Sequence, residues 1–354
     1  GEIYTTIDHR WQAIVEDVMD RQVPKGAVVV LDPRSGEVLA MASRPDFRRK
    51  PAGGAQTPAG GAQTSAGTTL TQNRGEGAWL NRAISAYQPG SVFKVVVAAA
   101  ALEEKLVASE SQFFCEGFIQ VGDRRFNCSK PEGHGLINFR QAFAYSSNPA
   151  FIETGLRLGT DNITHYARKL GLGEITALDL PGESPGSLPI GRRLLDGDIA
   201  NLSIGQGPVT VTPLQMAQLM AIVANDGLVR PLSLVREIRT REGEVLARPG
   251  PGMMKRAISS RTARELQKAL ADVTAYGTGR AGDVPVARAA GKTGSAEAPG
   301  SAGGRLTHAW FAGYAPLRRP TVAVSVFVEE GESGGATAAP VFREIVRRGL
   351  GILP

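Results

Sequence analysis

GAVVVLDPRSGEVLAMAS, residues 26–43, decides the fold. Two apolar runs rich in β-branched residues are joined by Asp32-Pro33-Arg34-Ser35-Gly36, which supplies the turn chemistry of a hairpin. The far end of the chain repeats the theme, with strand-like runs at 309–315 and 321–329 separated by a proline-containing turn at 316–320. Between these ends the patterns are helical, at 91–105, 213–225 and 261–273, and a last helix is predicted at 340–348. Strands at both ends around a helix-rich middle predict an α+β fold, its antiparallel sheet assembled from both ends of the chain and flanked by helices.

Composition narrows the function. The 354 residues carry 40 Lys+Arg against 34 Asp+Glu, a formal charge of +6, and 42% are hydrophobic. Such a chain buries a large core without help from sulfur or metal. Two cysteines rule out a disulfide-rich scaffold. The four histidines (His9, His134, His165 and His308) stand too far apart in sequence to give metal-ligand spacing, so neither metal nor cofactor is expected. Basic residues are scattered, which argues against nucleic acid as a partner. The longest uninterrupted apolar run, 95–102, is far short of the roughly 18 residues of a membrane span. The first residue is Gly and no leader pattern opens the chain, so it is expected to be a piece of a longer or processed polypeptide. PAGGAQT occurs at 51–57 and again at 58–64, within a Gly-rich polar stretch at about 50–77 that is read as a mobile insert.

Three short motif matches fail on physical grounds. Gly182-Glu183-Ser184-Pro185-Gly186 fits a nucleophile elbow, but the residue after that serine must offer an N–H and is proline. Gly277-Thr278-Gly279-Arg280-Ala281-Gly282 follows a helical stretch, not a strand, and leads into Asp283-Val284-Pro285 instead of a helix. Gly291-Lys292-Thr293 lacks the earlier glycine of a phosphate-binding loop, Val286 standing in its place.

Three other signals survive, in one order. Ser91-Val92-Phe93-Lys94 is the sequence's one instance of a serine three residues before a lysine. On a helix that spacing puts both side chains on one face, and the apolar run that follows can desolvate the amine, lowering its pKa until it can act as a base toward the hydroxyl. Alone, the pair is more simply an N-capping serine and a lysine laid along an apolar surface. Ser146-Ser147-Asn148 lies beside Pro149, at a turn between helices, with a hydroxyl able to relay a proton and an amide able to bind a peptide. Lys292-Thr293-Gly294-Ser295 sits within 287–297, a strand where the glycine lets a substrate backbone approach, the lysine adds positive potential and the hydroxyls can hold a carboxylate.

Together these motifs resemble those of the class B penicillin-binding proteins, in their transpeptidase domain. The likeness extends to Thr5-Thr6-Ile7-Asp8, the 26–43 hairpin, Asn81-Arg82-Ala83, Tyr87-Gln88-Pro89-Gly90, Gly205-Gln206-Gly207, Thr212-Pro213-Leu214-Gln215 and Gly313-Tyr314-Ala315-Pro316. It implies one transpeptidase domain over 1–354 built on a five-stranded sheet, with a membrane anchor and a non-catalytic domain upstream. It implies a peptidoglycan D,D-transpeptidase that cross-links stem peptides through an acyl-enzyme on D-alanyl-D-alanine and is trapped by β-lactams. By the same resemblance, Ser91 is the nucleophile and Lys94 its base, and Ser146 with Lys292 returns a proton to the leaving D-alanine. Asn148 binds the peptide amide, Thr293, Gly294 and Ser295 the substrate end, and the N–H groups of Ser91 and Ser295 form the oxyanion hole. The implied location is the extracytoplasmic face of a bacterial cytoplasmic membrane, with membrane-embedded cell-wall synthesis proteins as partners.

Cys115 and Cys128 flank a hairpin-like segment and are read as a disulfide or as two free thiols, with zinc through Cys128 and His134 a third option short of two ligands. His308, just before a strand, is read as structural. A penicillin sensor, a D,D-carboxypeptidase and a β-lactamase are the competing functions. The last needs a group to activate water, for which Glu153 and Glu174 are candidates by position alone.

Overall fold

The computed structural model describes residues 1–46, 77–250, 252–299 and 305–351. The Gly-rich insert predicted at about 50–77 therefore lies almost wholly outside the described residues. The chain opens with β1 (Glu2–Thr5), α1 (His9–Gln22), β2 (Gly26–Leu31) and β3 (Val38–Arg44). A 3₁₀ turn (Gly90–Phe93) runs into α2 (Lys94–Glu103), followed by the short strands β4 (Gln112–Cys115), β5 (Phe118–Val121), β6 (Arg124–Asn127) and β7 (Gly135–Asn138). The helical middle is α3 (Phe139–Ala144), α4 (Asn148–Lys169), α5 (Asp196–Ser203) and α6 (Pro213–Ala224). After the small strands β8 (Leu228–Val229), β9 (Val235–Arg239), β10 (Val245–Ala247) and β11 (Lys255–Arg256) come α7 (Ser260–Ala275), β12 (Ala290–Pro299), β13 (Arg305–Ala315), β14 (Val322–Val328) and α8 (Ala339–Leu350).

The main sheet has five strands in the order β12-β13-β14-β2-β3, every neighbouring pair antiparallel. It is the α+β sheet from both chain ends that the sequence predicts. Its burial explains why β2 reads as a continuous apolar run and not as an alternation. Ala27, Val29 and Leu31 pack into the core shared with α2 and α6, while Val28 and Val30 pack on the other face against Trp11, Val15 and Met19 of α1 and Phe342 and Ile345 of α8. With both faces covered, no position in the strand is free to be polar. Helix α1 had no place among the predicted elements, although Trp11, Ile14, Val15, Val18 and Met19 are spaced for one helical face.

The nucleophile motif departs from the predicted helix. Ser91 stands on the 3₁₀ turn, and α-helix begins only at Lys94, whose N–H donates back to the carbonyls of Ser91 and Val92. The change favours the pair, because side chains at i and i+3 eclipse in a 3₁₀ turn whereas an α-helix separates them by about 60°. Every residue from Lys94 to Ala101 is buried, so α2 runs through the core as its apolar sequence requires.

The segment that delivers Ser91 is tied down along its length. Tyr87 exchanges backbone hydrogen bonds with Val211, the Gly90 N–H donates to Gly205 O at 3.0 Å, and the Trp310 indole donates to Gln88 O at 3.0 Å. Upstream, Arg82 Nε donates to Glu329 Oε1 at 2.8 Å, and the same oxygen accepts from the Tyr87 hydroxyl at 3.1 Å. The Arg82 and Glu329 side chains are 5% and 15% exposed, so removing one partner strands a charge out of water. Arg82→Leu is expected to lower stability by about 3–5 kcal/mol. Thermal and urea melts check this, and a change below about 0.5 kcal/mol would place the pair among surface ion pairs in energetic terms.

Candidate active site

The three motifs come from elements far apart in sequence and meet at one point. Edge strand β12 packs on the 3₁₀ turn so closely that a Cβ placed on Gly90 would lie 2.5 Å from Ser295 O, and one on Gly294 2.6 Å from Pro89 O. Backbone therefore meets backbone where Ser91 and Ser295 adjoin. The Ser146-Ser147-Asn148 turn enters from the third side, between α3 and α4, with Ser146 in the left-handed region at φ 57°. A non-glycine residue held there is strained, a cost that tertiary contacts must offset.

Those contacts are two lysines. Lys94 Nζ donates to Ser146 O at 2.7 Å, Ser146 Oγ at 3.2 Å and Asn148 Oδ1 at 2.7 Å. Lys292 Nζ donates to the same Ser146 Oγ at 2.9 Å and to Thr293 O at 3.2 Å. Both lysines are fully buried. Among the described residues neither has a carboxylate partner, and Lys94 lies 5.4 Å from the centre of the Phe151 ring. Burial pushes the Lys94 pKa down to about 7, against an upward pull from Cys128 and Cys115. Lys292 is pushed well below the ordinary lysine value by burial and by the charge of Lys94. The site thus holds two amines whose proton affinity burial has lowered, Lys94 to about 7, and that share one hydroxyl, the arrangement of a proton relay.

Asn148 also borders a cleft of about 910 Å³, lined with it by Ser91 and Ser295 and by Gln88, Arg125, Asn127, Gln206, Glu297 and Glu332. Asn148 is half committed: its Oδ1 accepts from Lys94, and its Nδ2 donates to Asn127 O at 2.8 Å, leaving one lone pair and one N–H for a ligand. The Ser295 hydroxyl accepts from Gly334 N at 3.2 Å. Thr293 is 6% exposed and does not line the cleft; its hydroxyl bonds that of Thr278 at 2.7 Å, a residue the motif reading passed over. Thr278 belongs to the rejected Gly-rich match, so no local pattern marked it.

Other sequence candidates lie elsewhere. Glu153 and Glu174 are half-exposed or more, pair with Arg157 and Arg168, and stay out of the cleft, which removes the positional case for either as a water-activating group. His308 packs edge-on against Phe327 and accepts from Glu330 N, in keeping with a structural role. Cys115 and Cys128 are free thiols, both buried, and do not form a disulfide.

Residues 26–347 match the family described as penicillin binding protein transpeptidase domain. Stage V sporulation protein D of Bacillus subtilis is 33% identical over 359 residues, covering 98% of this chain and 53% of that protein. The peptidoglycan D,D-transpeptidase PbpA of Mycolicibacterium smegmatis is 32% identical over 371 residues, covering 99% of this chain and 72% of that protein. Among solved structures, the penicillin G acyl-enzyme complex of penicillin-binding protein A from M. tuberculosis superposes with a TM-score of 0.82 at 29% identity, over 98% of this chain and 80% of that one. The chain spans about half the length of the first curated relatives it matches.

Proposed function

The chain belongs to the penicillin-binding-protein transpeptidase family, and on that premise we propose that it is a peptidoglycan D,D-transpeptidase working through an acyl-enzyme on Ser91. The observation that carries the proposal is the convergence of two buried, carboxylate-free lysines on Ser146 Oγ, with Lys94 also bonded to Asn148, a residue of the cleft that Ser91 lines. A serine hydroxyl needs a base, and the burial that lowers the Lys94 pKa to about 7 supports Lys94 in that role.

In the first half-reaction Ser91 Oγ attacks the carbonyl between two D-alanines while Lys94 takes its proton. The N–H groups of Ser91 and Ser295 hold the developing oxyanion, an interaction for which one donor is typically worth about 3–4 kcal/mol of barrier. The C–N bond breaks, and the terminal D-alanine leaves as an amine protonated through Ser146 and Lys292. The free valences of Asn148 hold the stem backbone, and the Ser295 hydroxyl, which lines the cleft, holds the terminal carboxylate, with Gly294 keeping β12 close to the Ser91 turn and Thr293 anchored to Thr278 behind it. An amine of a second stem then attacks the Ser91 ester, forming the cross-link and restoring the hydroxyl. A β-lactam acylates the same serine, and the ester hydrolyses slowly.

The expected setting is the outer face of a bacterial cytoplasmic membrane, beside membrane-embedded synthesis proteins reached through a part of the protein outside this chain. Among the described residues no helix is long and apolar enough to cross a membrane. The deciding assay offers a pentapeptide stem ending in D-Ala-D-Ala together with an amine acceptor. D-alanine release with a new amide is the expected result. Release without amide would make the protein a carboxypeptidase, and a penicillin adduct without any release on stem peptide would make it a sensor. Rapid loss of penicillin would make it a β-lactamase.

The pH profile follows from the burial of Lys94. The base works only when neutral, so Ser91 acylation is expected to rise with pH through about 7 and level off above it. Acylation by a fluorescent penicillin between about pH 5 and 9 reads this directly. A flat profile across pH 7 would remove Lys94 as the titrating base.

A further inference from the structure

Cys115, Cys128 and His134 are 13 and 6 residues apart, yet their ligand atoms all lie within 4.8 Å of one another. The chain builds this meeting from the ends of three short strands. Cys115 closes β4, Cys128 follows β6, and His134 precedes β7, where the β4–β7 ladder puts Cys115 opposite Gly135. Two backbone bonds lock the convergence: Cys128 N donates to Gly117 O at 2.7 Å and His134 N to Cys115 O at 3.0 Å.

The dimensions are those of a coordination sphere. A tetrahedral zinc with Zn–S near 2.3 Å and Zn–N near 2.0–2.1 Å places sulfur and nitrogen about 3.6 Å apart along an edge. His134 Nδ1 lies 3.4 Å from Cys115 Sγ and 3.7 Å from Cys128 Sγ. The imidazole ring is held by parallel stacking on Tyr145, its centroid 5.1 Å away with an interplanar angle of 1°, so Nδ1 is aimed before any ion arrives. A further buried polar group borders the three ligands. Ser147 is fully buried, and its Oγ, which lies against the Cys115 thiol, has no nitrogen or oxygen partner among the described residues. A buried hydroxyl left unpaired costs about 1–3 kcal/mol, which a ligand or its bound water would relieve.

We propose that Cys115, Cys128 and His134 bind one zinc-class divalent ion as two thiolates and one neutral imidazole, with the Ser147 hydroxyl or a water it holds completing the tetrahedron. Each thiol releases its proton to solvent as its sulfur–metal bond forms. Soft thiolates with an imidazole select zinc over magnesium or calcium. The position gives the ion a task. Ser147 lies between Ser146 and Asn148, and Cys128 adjoins Asn127, whose carbonyl holds Asn148 Nδ2. The metal would therefore clamp the strained Ser146 turn to the two hairpins.

The test uses the whole chain, reduced and stripped of metal by a chelator. Zinc titration against a chromophoric chelator is expected to give one ion per chain, and zinc is expected to raise the melting temperature and shield both thiols from a thiol reagent. Cobalt(II) should give the thiolate-to-metal charge-transfer band that oxygen-only ligation lacks. Cys128→Ser and His134→Ala should each weaken zinc by at least roughly 100-fold, the upper end of what loss of an outer partner costs. Because a variant that misfolds also loses metal, far-ultraviolet circular dichroism and a cooperative thermal melt are recorded on each as a check of fold. The proposal is overturned if the reduced wild type binds no zinc, if binding persists unchanged in Cys115→Ser/Cys128→Ser, or if cobalt binds without the charge-transfer band.

Discussion

Incubated with penicillin, the wild-type protein is expected to gain one acyl group by intact mass, Ser91→Ala none, and Lys94→Ala to acylate about 10²–10⁴-fold more slowly, the range spanned by loss of a general base. The serine result is absolute because no other hydroxyl has its place: Ser146 Oγ is occupied by two lysines, and Ser295 is anchored by Gly334 N. The lysine result has a companion in stability that an exposed lysine would not show. Lys94 is lowered to about 7 in the fold, against about 10.4 in the unfolded chain, so between those values the unfolded state binds more protons. Its destabilising contribution is complete below pH 7 and is relieved as pH rises toward 10. Lys94→Met keeps the volume and removes the charge, so it should shrink the rise in melting temperature over that window, the part that remains belonging to Lys292, whose amine burial also lowers. A Lys94→Ala protein that acylated at the normal rate would transfer the base role to Lys292.

A single methyl group at Gly90 is expected to cost nearly as much. Gly90 has φ 53°, and its Cβ would sit 2.5 Å from Ser295 O and 2.8 Å from Ser295 C. Neither side can yield easily, since Gly205 meets Gly90 from behind, a Cβ there falling 2.0 Å from Gly90 O. The left-handed conformation alone costs an alanine about 1–2 kcal/mol. The larger effect is geometric, because the methyl pushes the Ser91 turn off β12 and opens the gap between the two N–H groups of the oxyanion hole. Displacement of about 1 Å at a reacting centre can cost 10²-fold, so Gly90→Ala should acylate about 100-fold more slowly with a modest fall in melting temperature. An alanine variant with wild-type acylation would mean the serine is positioned by α2 alone.

Much of this protein was legible before any coordinate. The hairpin at β2 and β3, the strands β13 and β14, and helices α6, α7 and α8 are periodic over short distances, and that local signal predicted a sheet built from the two chain ends, whose strand order only the structure gave. The buried run after Lys94 likewise announced a desolvated amine. Local pattern reached less far where function depended on meeting. That Ser146 would carry both lysines, at φ 57°, could not be read from Ser-Ser-Asn, because the two amines arrive from α2 and β12, 52 and 146 residues away. Thr278 was invisible for the same reason. The cysteines make the contrast sharpest. In sequence they left disulfide, free thiols and an incomplete zinc pair open, and no spacing rule joined Cys115 to His134 or either to Ser147. Pairing of β4 with β7 and closure of the β5–β6 hairpin bring those strand ends to one point. Period and propensity act over a turn or a strand and so fix the elements. Burial, proton affinity and ligand geometry depend on what packs from across the chain, and these the tertiary structure alone decided.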